Sequence, residues 1–177
     1  MKSRVMMIAW LAFAPWWSVS ATEALRVDFV EPERYTDLSL SGSTTERIQT
    51  YILGELEGYL KDLAANGLPP SHTLQITVFD LDMAGEYEPW RVPNLTNIRF
   101  IRDVYRPRID LGYVGRDEHG RVLVEGREPV SDLNYLMLAD PYYTYNDPLR
   151  YEKAMLRRWF EARFGGRTYG ALRTESR

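Results

Sequence analysis

Between Ser43 and Pro70 the chain spells out one complete amphipathic helix, and that helix limits what the remainder can be. Ile48, Ile52, Leu56, Tyr59, Leu60 and Leu63 recur at helical spacing and fall on one face. Ser43 and Glu46 fit a capping box, in which the hydroxyl meets an orphan amide and the carboxylate reaches back to the cap. Asn66 and Gly67, followed by Pro69 and Pro70, supply the stop. The spacing predicts a helix over about residues 44–65. A helix with one apolar stripe must bury it against another layer, and most of the remaining chain reads as strands.

Leu25, Val27 and Phe29 alternate with polar residues, as a half-buried strand does. From Thr73 to Met83 the apolar phase begins as Leu74, Ile76 and Val78 and then switches to Phe79, Leu81 and Met83. A switch of that kind marks a bulge near Val78 or coverage of both faces. Gly85 to Asn97 reads as a loop, and Ile98 to Val104 and Arg108 to Val114 as strands. Arg116 to Gly120 has the composition of a hairpin turn leading into a strand over Arg121 to Gly126, with a short strand or turn at Asp132 to Met137. After an aromatic loop over Asp140 to Asp147, Asp147 caps a second helix with Pro148 at its first position. Leu149, Leu156, Trp159, Phe160 and Phe164 give that helix its apolar side, and Gly165 and Gly166 end it. The order predicts an α+β two-layer sandwich: a mostly antiparallel sheet with two helices packed on one face. The expected domain covers residues 22–166, with a frayed tail over 167–177.

The first 21 residues read as a secretory signal peptide. Lys2 and Arg4 precede an uncharged run from Val5 to Trp17, and Val19, Ser20 and Ala21 place small residues at the cut. The run falls short of the roughly 20 apolar residues that span a bilayer. Cleavage after Ala21 is therefore expected, with a periplasmic protein that keeps no stable membrane insertion. The whole chain carries a net charge of −3, and loss of Lys2 and Arg4 makes it more acidic still. That balance argues against a general nucleic-acid binder and against attraction to an anionic membrane surface. There is no cysteine. Disulfides, thiol catalysis, thiolate metal sites and a lipid-modified cysteine are thereby excluded. Aromatic residues make up 13% of the chain, which suits a folded domain rather than a disordered one.

Three groups of residues have chemistry to offer. Asp80 and Asp82 share a strand face by their spacing, and Glu86 follows across a turn. Three hard oxygen ligands suit Ca²⁺ or Mg²⁺, although the run lacks the EF-hand spacing. The competing reading is structural, with Asp80 in phase with Leu74, Ile76 and Val78, partly desolvated and paired with an arginine from Arg99, Arg102, Arg106 or Arg108. Of these, Arg102, Arg106 and Arg108 are candidate anion contacts, weighed against cross-strand pairs with Asp103 and Asp110. Trp90, Tyr135, Tyr142, Tyr143 and Tyr145 form a candidate ligand or partner surface, weighed against a role in covering the base of the second helix. His72 and His119 both fall in turns and read as solvated, which disfavours a His-paired nucleophile. No nucleophile elbow, phosphate-binding loop, zinc-protease or dinucleotide motif occurs.

Four segments, in order, carry a family resemblance. They are Val27-Asp-Phe29-Val-Glu-Pro32-Glu33-Arg-Tyr35-Thr36-Asp37, Asp80-Leu-Asp82-Met-Ala-Gly85-Glu86, Arg106-Pro107-Arg108-Ile109-Asp-Leu111-Gly-Tyr113 and Tyr151-Glu152-Lys153-Ala-Met-Leu156-Arg-Arg-Trp159-Phe160. Behind a signal peptide, they resemble proteobacterial envelope proteins grouped as domain of unknown function 3016. The resemblance implies a single-domain periplasmic protein and brings no catalytic residue and no activity. Met83 stands where a leucine is expected, a volume-conserving exchange. The sequence thus points to a non-enzymatic binding or envelope-support module without a cofactor, whose partner is an envelope protein or a small ligand. The alternative is a hydrolase built on Asp80, Asp82 and Glu86, with or without a divalent metal. Carboxylates converging in a deep pocket favour the hydrolase, and carboxylates tied separately to arginines favour the binder.

Overall fold

The computed structural model describes residues 24–91, 96–137 and 146–165. In chain order its elements are β1 (Leu25–Phe29), a short 3-10 turn (Pro32–Arg34), α1 (Glu46–Gly67), β2 (Thr73–Asp82), β3 (Glu86–Tyr87), β4 (Arg99–Phe100), β5 (Arg108–Arg116), β6 (Val122–Ser131) and α2 (Arg150–Phe164). The main sheet has the order β1-β2-β5-β6, and β3 pairs with β4 in a separate ribbon. The α+β class holds, but the main sheet is mixed. β2 and β5, and β5 and β6, pair antiparallel, whereas β1 runs parallel to β2. The parallel pair arises because α1 lies between the two strands in sequence and carries the chain back to the starting end of the sheet.

One core joins the layers. Ile52, Leu56 and Leu60 of α1 and Leu156, Trp159, Phe160 and Phe164 of α2 pack with Leu74, Ile76, Val78 and Leu81 of β2 and Ile109, Leu111 and Tyr113 of β5. Burying each large apolar side chain contributes about 1.5–3 kcal/mol. Trp159 is 8% exposed, and its indole N–H donates to Glu128 at 2.9 Å. Its ring meets Tyr113 edge-on at 5.8 Å and Phe164 at 5.6 Å. Where the helices meet, a Cβ on Gly67 would lie 2.6 Å from Cε1 of Phe160, so the close approach requires glycine.

Several local expectations change. The capping box does not form. Leu40 and Ser43 exchange backbone hydrogen bonds, which holds Ser43 in a small bridge and leaves Thr45 as the cap without a side-chain bond. Asp147 accepts the Leu149 N–H at 2.8 Å, which fixes the turn into α2, but Leu149 is the cap residue and α2 opens at Arg150. The strand expected over Ile98 to Val104 shortens to β4, Arg99–Phe100. His72 is buried rather than solvated, and its Nδ1 lies 3.1 Å from the Pro70 carbonyl.

The phase switch in β2 is a bulge, with the register against β5 shifting between Val78 and Asp80. Leu81 and Met83 thereby return to the core. Asp80 is set opposite Asp110, on the face away from the helices, and not in line with Leu74, Ile76 and Val78.

Candidate functional site

Beyond the carboxyl end of β2 the chain makes a turn that only glycine permits. Gly85 has φ +84°, and a Cβ there would lie 2.6 Å from Ile101 Cδ1 and 2.9 Å from the Phe100 carbonyl oxygen. Its N–H donates to the Tyr105 carbonyl at 2.8 Å, which draws residues 99–105 over the sheet end. Arg99 fastens the arrangement. It donates to the Ala84 and Gly85 carbonyls at 3.2 and 2.9 Å, to Asp37 at 2.6 Å and to the Ser39 carbonyl at 2.9 Å. Burial alone would lower its pKa, but Asp37 and Tyr87 outweigh burial and hold it raised. Nearby, buried Glu88 accepts from Arg102 and from the Tyr105 hydroxyl, both at 3.0 Å.

From below, α2 contributes Glu152. It is 1% exposed, and its Oε1 accepts the Ala84 N–H at 2.7 Å. Its Oε2 is buried with no hydrogen-bond partner among the described residues. Burial pushes the carboxyl up to about 7, against the opposing pull of the Ala84 amide and Arg99 and with a smaller push from Asp37.

These contacts frame a polar cleft of about 250 Å³, lined by Asp82, Glu86, Val104, Tyr105, Arg106 and Arg108 among others. Asp82 is half-buried. Its pKa is raised by burial first, then by Asp37 and Asp80, with Arg108 opposing and Glu86 adding to the rise.

The carboxylates expected to act together are divided. Asp80 accepts the Thr36 N–H and the Thr36 hydroxyl, both at 2.7 Å, so its partner is a threonine and not an arginine. The bulge is the cause, because it turns Asp80 toward the segment that follows β1. Asp82 and Glu86 share the cleft. No group of three or more His, Cys, Asp or Glu side chains is placed to hold a metal ion among the described residues.

The arginines divide as well. Arg106 and Arg108 line the cleft, whereas Arg102 is bound to Glu88 and its guanidinium sits 5.6 Å from the Phe100 ring centre. Of the aromatic group, Trp90 is 71% exposed. Tyr135 is buried, donates its hydroxyl to the Arg102 carbonyl and meets Tyr151 edge-on at 5.0 Å. Tyr142, Tyr143 and Tyr145 lie outside the described residues. Glu152 was not singled out from the sequence. The readable signal was its place on the apolar stripe of α2, three residues after Leu149 and four before Leu156.

Residues 23–162 match the family described as "Protein of unknown function (DUF3016)". No curated protein and no solved structure matches the chain.

Proposed function

This chain belongs to the DUF3016 family of proteins of unknown function, and from that premise we propose that it is a non-enzymatic binding module exported to the bacterial periplasm. One observation carries the reading. Asp37, Asp80, Glu88, Asp110 and Asp132 are each engaged by a donor from elsewhere in the fold, whereas among the described residues Asp82, Glu86, Arg106 and Arg108 close no ion pair in the cleft they line. A cleft lined by charges left open to a ligand beside a braced frame is what recognition needs. It lies at one end of the main sheet, where the end of β2 meets the start of β5. The layout of residues 1–21 supports export.

A second reading rests on Asp82. A carboxyl raised by burial, with Glu86 lining the same cleft, is the pairing that a hydrolase uses as acid and base.

Photo-crosslinking in intact cells tests the binding module. A photoreactive residue at exposed Val104, on the rim of the cleft, should give a discrete adduct found in the periplasmic fraction, and the same residue at exposed Glu118 in the β5–β6 hairpin should not. Identical patterns at the two positions, or none at Val104, refute the binding reading. Recovery of the protein only in the cytoplasm refutes the location.

A further inference from the structure

We infer that the cleft recognises a small zwitterion: an ammonium group held by Asp82 and Glu86 and a carboxylate held by Arg106 and Arg108, as in an amino acid or a short peptide with free ends. This rests on the binding reading above and names the ligand class for that same site.

Two carboxylates and two guanidinium groups line one cleft. Elsewhere such groups find each other: Arg99 pairs with Asp37, Arg121 with Asp117, Arg127 with Asp110 and Arg163 with Glu128. Among the described residues, no ion pair joins Asp82 or Glu86 to Arg106 or Arg108. The Glu86 carboxylate accepts, among the described residues, only the N–H of its neighbour Tyr87. Asp82 and Arg108 are cross-strand partners in the β2–β5 register, and Arg108 partly offsets the negative field on Asp82, yet no ion pair closes between them among the described residues; the segments that carry Glu86 and Arg106 are fixed by other bonds. Gly85 is tied to Tyr105, and Arg99 is tied to Ala84 and Gly85. The cleft therefore presents charges of both signs with no ion pair closed between them among the described residues.

Charge balance selects the ligand. A simple anion drawn to the arginines would also meet two carboxylates, and a simple cation would meet two guanidinium groups. Only a ligand carrying both signs answers both pairs. Asp82 adds a direction to this. It stands in the combined field of Asp37, Asp80 and Glu86, opposed by Arg108, so an incoming ammonium relieves an unfavourable cluster of negative charge. Guanidinium groups suit a carboxylate through their paired N–H donors. A volume of about 250 Å³ limits the ligand to roughly dipeptide size, and the strongly polar lining suits its charged ends.

Isothermal titration calorimetry on the full mature chain tests this with four probes: free alanine, alanyl-alanine, N-acetyl-alanyl-alanine and alanyl-alanine amide. At least one zwitterionic probe should bind, and each blocked peptide should bind at least tenfold more weakly than alanyl-alanine. Free alanine binding as well as the dipeptide identifies an amino-acid site; a tenfold preference for the dipeptide identifies a peptide site. Asp82→Asn should shrink the penalty for acetylation, and Arg106→Gln the penalty for amidation, each with an unchanged circular-dichroism spectrum. Glu86→Gln, at an exposed position, is the second variant should Asp82→Asn fail to fold. Equal affinity for blocked and free peptides, or no binding by any probe, overturns the zwitterion. If the crosslink at Val104 still forms in that case, the binding module stands with another ligand. If alanyl-alanine is hydrolysed, the non-enzymatic reading falls instead.

Discussion

Replacing Glu152 by glutamine should flatten the dependence of stability on pH between mild acid and mild alkali, by removing a buried carboxyl that ionises in that range. The carboxyl is fully buried, and its pKa rises from 4.5 to about 7 on folding. Between those values the folded state binds the proton and the unfolded state does not. Stability contributed by the protonated form is therefore complete below about pH 4.5 and lost as the pH rises through about 7. A shift of that size, at 1.36 kcal/mol per unit, corresponds to about 3 kcal/mol. Glutamine keeps a carbonyl oxygen for the Ala84 N–H and never ionises, so the variant should lack this loss. Asp82 is raised in the same direction, but it is present in both proteins and cancels in the difference. Urea unfolding of the two proteins at pH 4.5, 6, 7 and 8, followed by tryptophan fluorescence, gives the comparison. The amide NH2 takes the partnerless Oε2 position and shifts the difference by a constant, so the variant's relative stability should grow by about 3 kcal/mol from the lowest to the highest pH of the series. A difference that stays constant with pH refutes the assignment of a buried, titrating carboxyl to Glu152.

Trp159→Ala should lose about 3–5 kcal/mol, since it empties a buried site shared with Tyr113 and Phe164; an unchanged denaturation midpoint contradicts this. Asp80→Ala should cost about 1–2 kcal/mol, because it strips the acceptor from two Thr36 donors at a partly exposed site. Asp80→Asn should recover part of that loss, and equal losses in the two variants contradict the hydrogen-bond explanation. Thermal melts with millimolar Ca²⁺ or Mg²⁺ should match those without; a rise that Asp82→Asn abolishes revives a metal role. Intact-mass measurement of periplasmic protein should show a start at Thr22, and a mass retaining Met1 to Ala21 contradicts cleavage.

Periodic signals were the legible part of the fold. Ile52, Leu56 and Leu60 in α1 and Leu156, Trp159, Phe160 and Phe164 in α2 all reach the core, as their spacing requires. The parallel β1–β2 pair was not legible, because neither strand's alternation states the direction of its neighbour. Asp80 illustrates the same limit at the site. Its sequence phase pointed to the core, and the bulge after Val78 reversed it, since one added residue moves every later side chain to the other face. Asp82, Glu86, Arg106 and Arg108 were all visible as charged residues. Their meeting in one cleft depends on Gly85 and Arg99, whose contacts are long-range and leave no periodic trace. Glu152 shows the converse. A lone acid on an apolar helical stripe is a signal that sequence alone carries, and the pattern of hydrophobic residues around it conceals it.

Among the described residues, the order of the main sheet leaves β1 and β6 at its margins, and both margins are poor templates for a further strand. β1 is five residues long and carries Arg26 and Asp28, bound to each other at 2.9 Å on the exposed face. β6 is longer, but Pro129 removes one backbone donor, and Glu125 and Arg127 set charges along its exposed face. Copies of this chain that meet edge to edge therefore encounter charge and a missing hydrogen bond instead of an open ladder. A protein without disulfides to lock its strands in register is thus guarded against aggregation by the composition of its outermost strands.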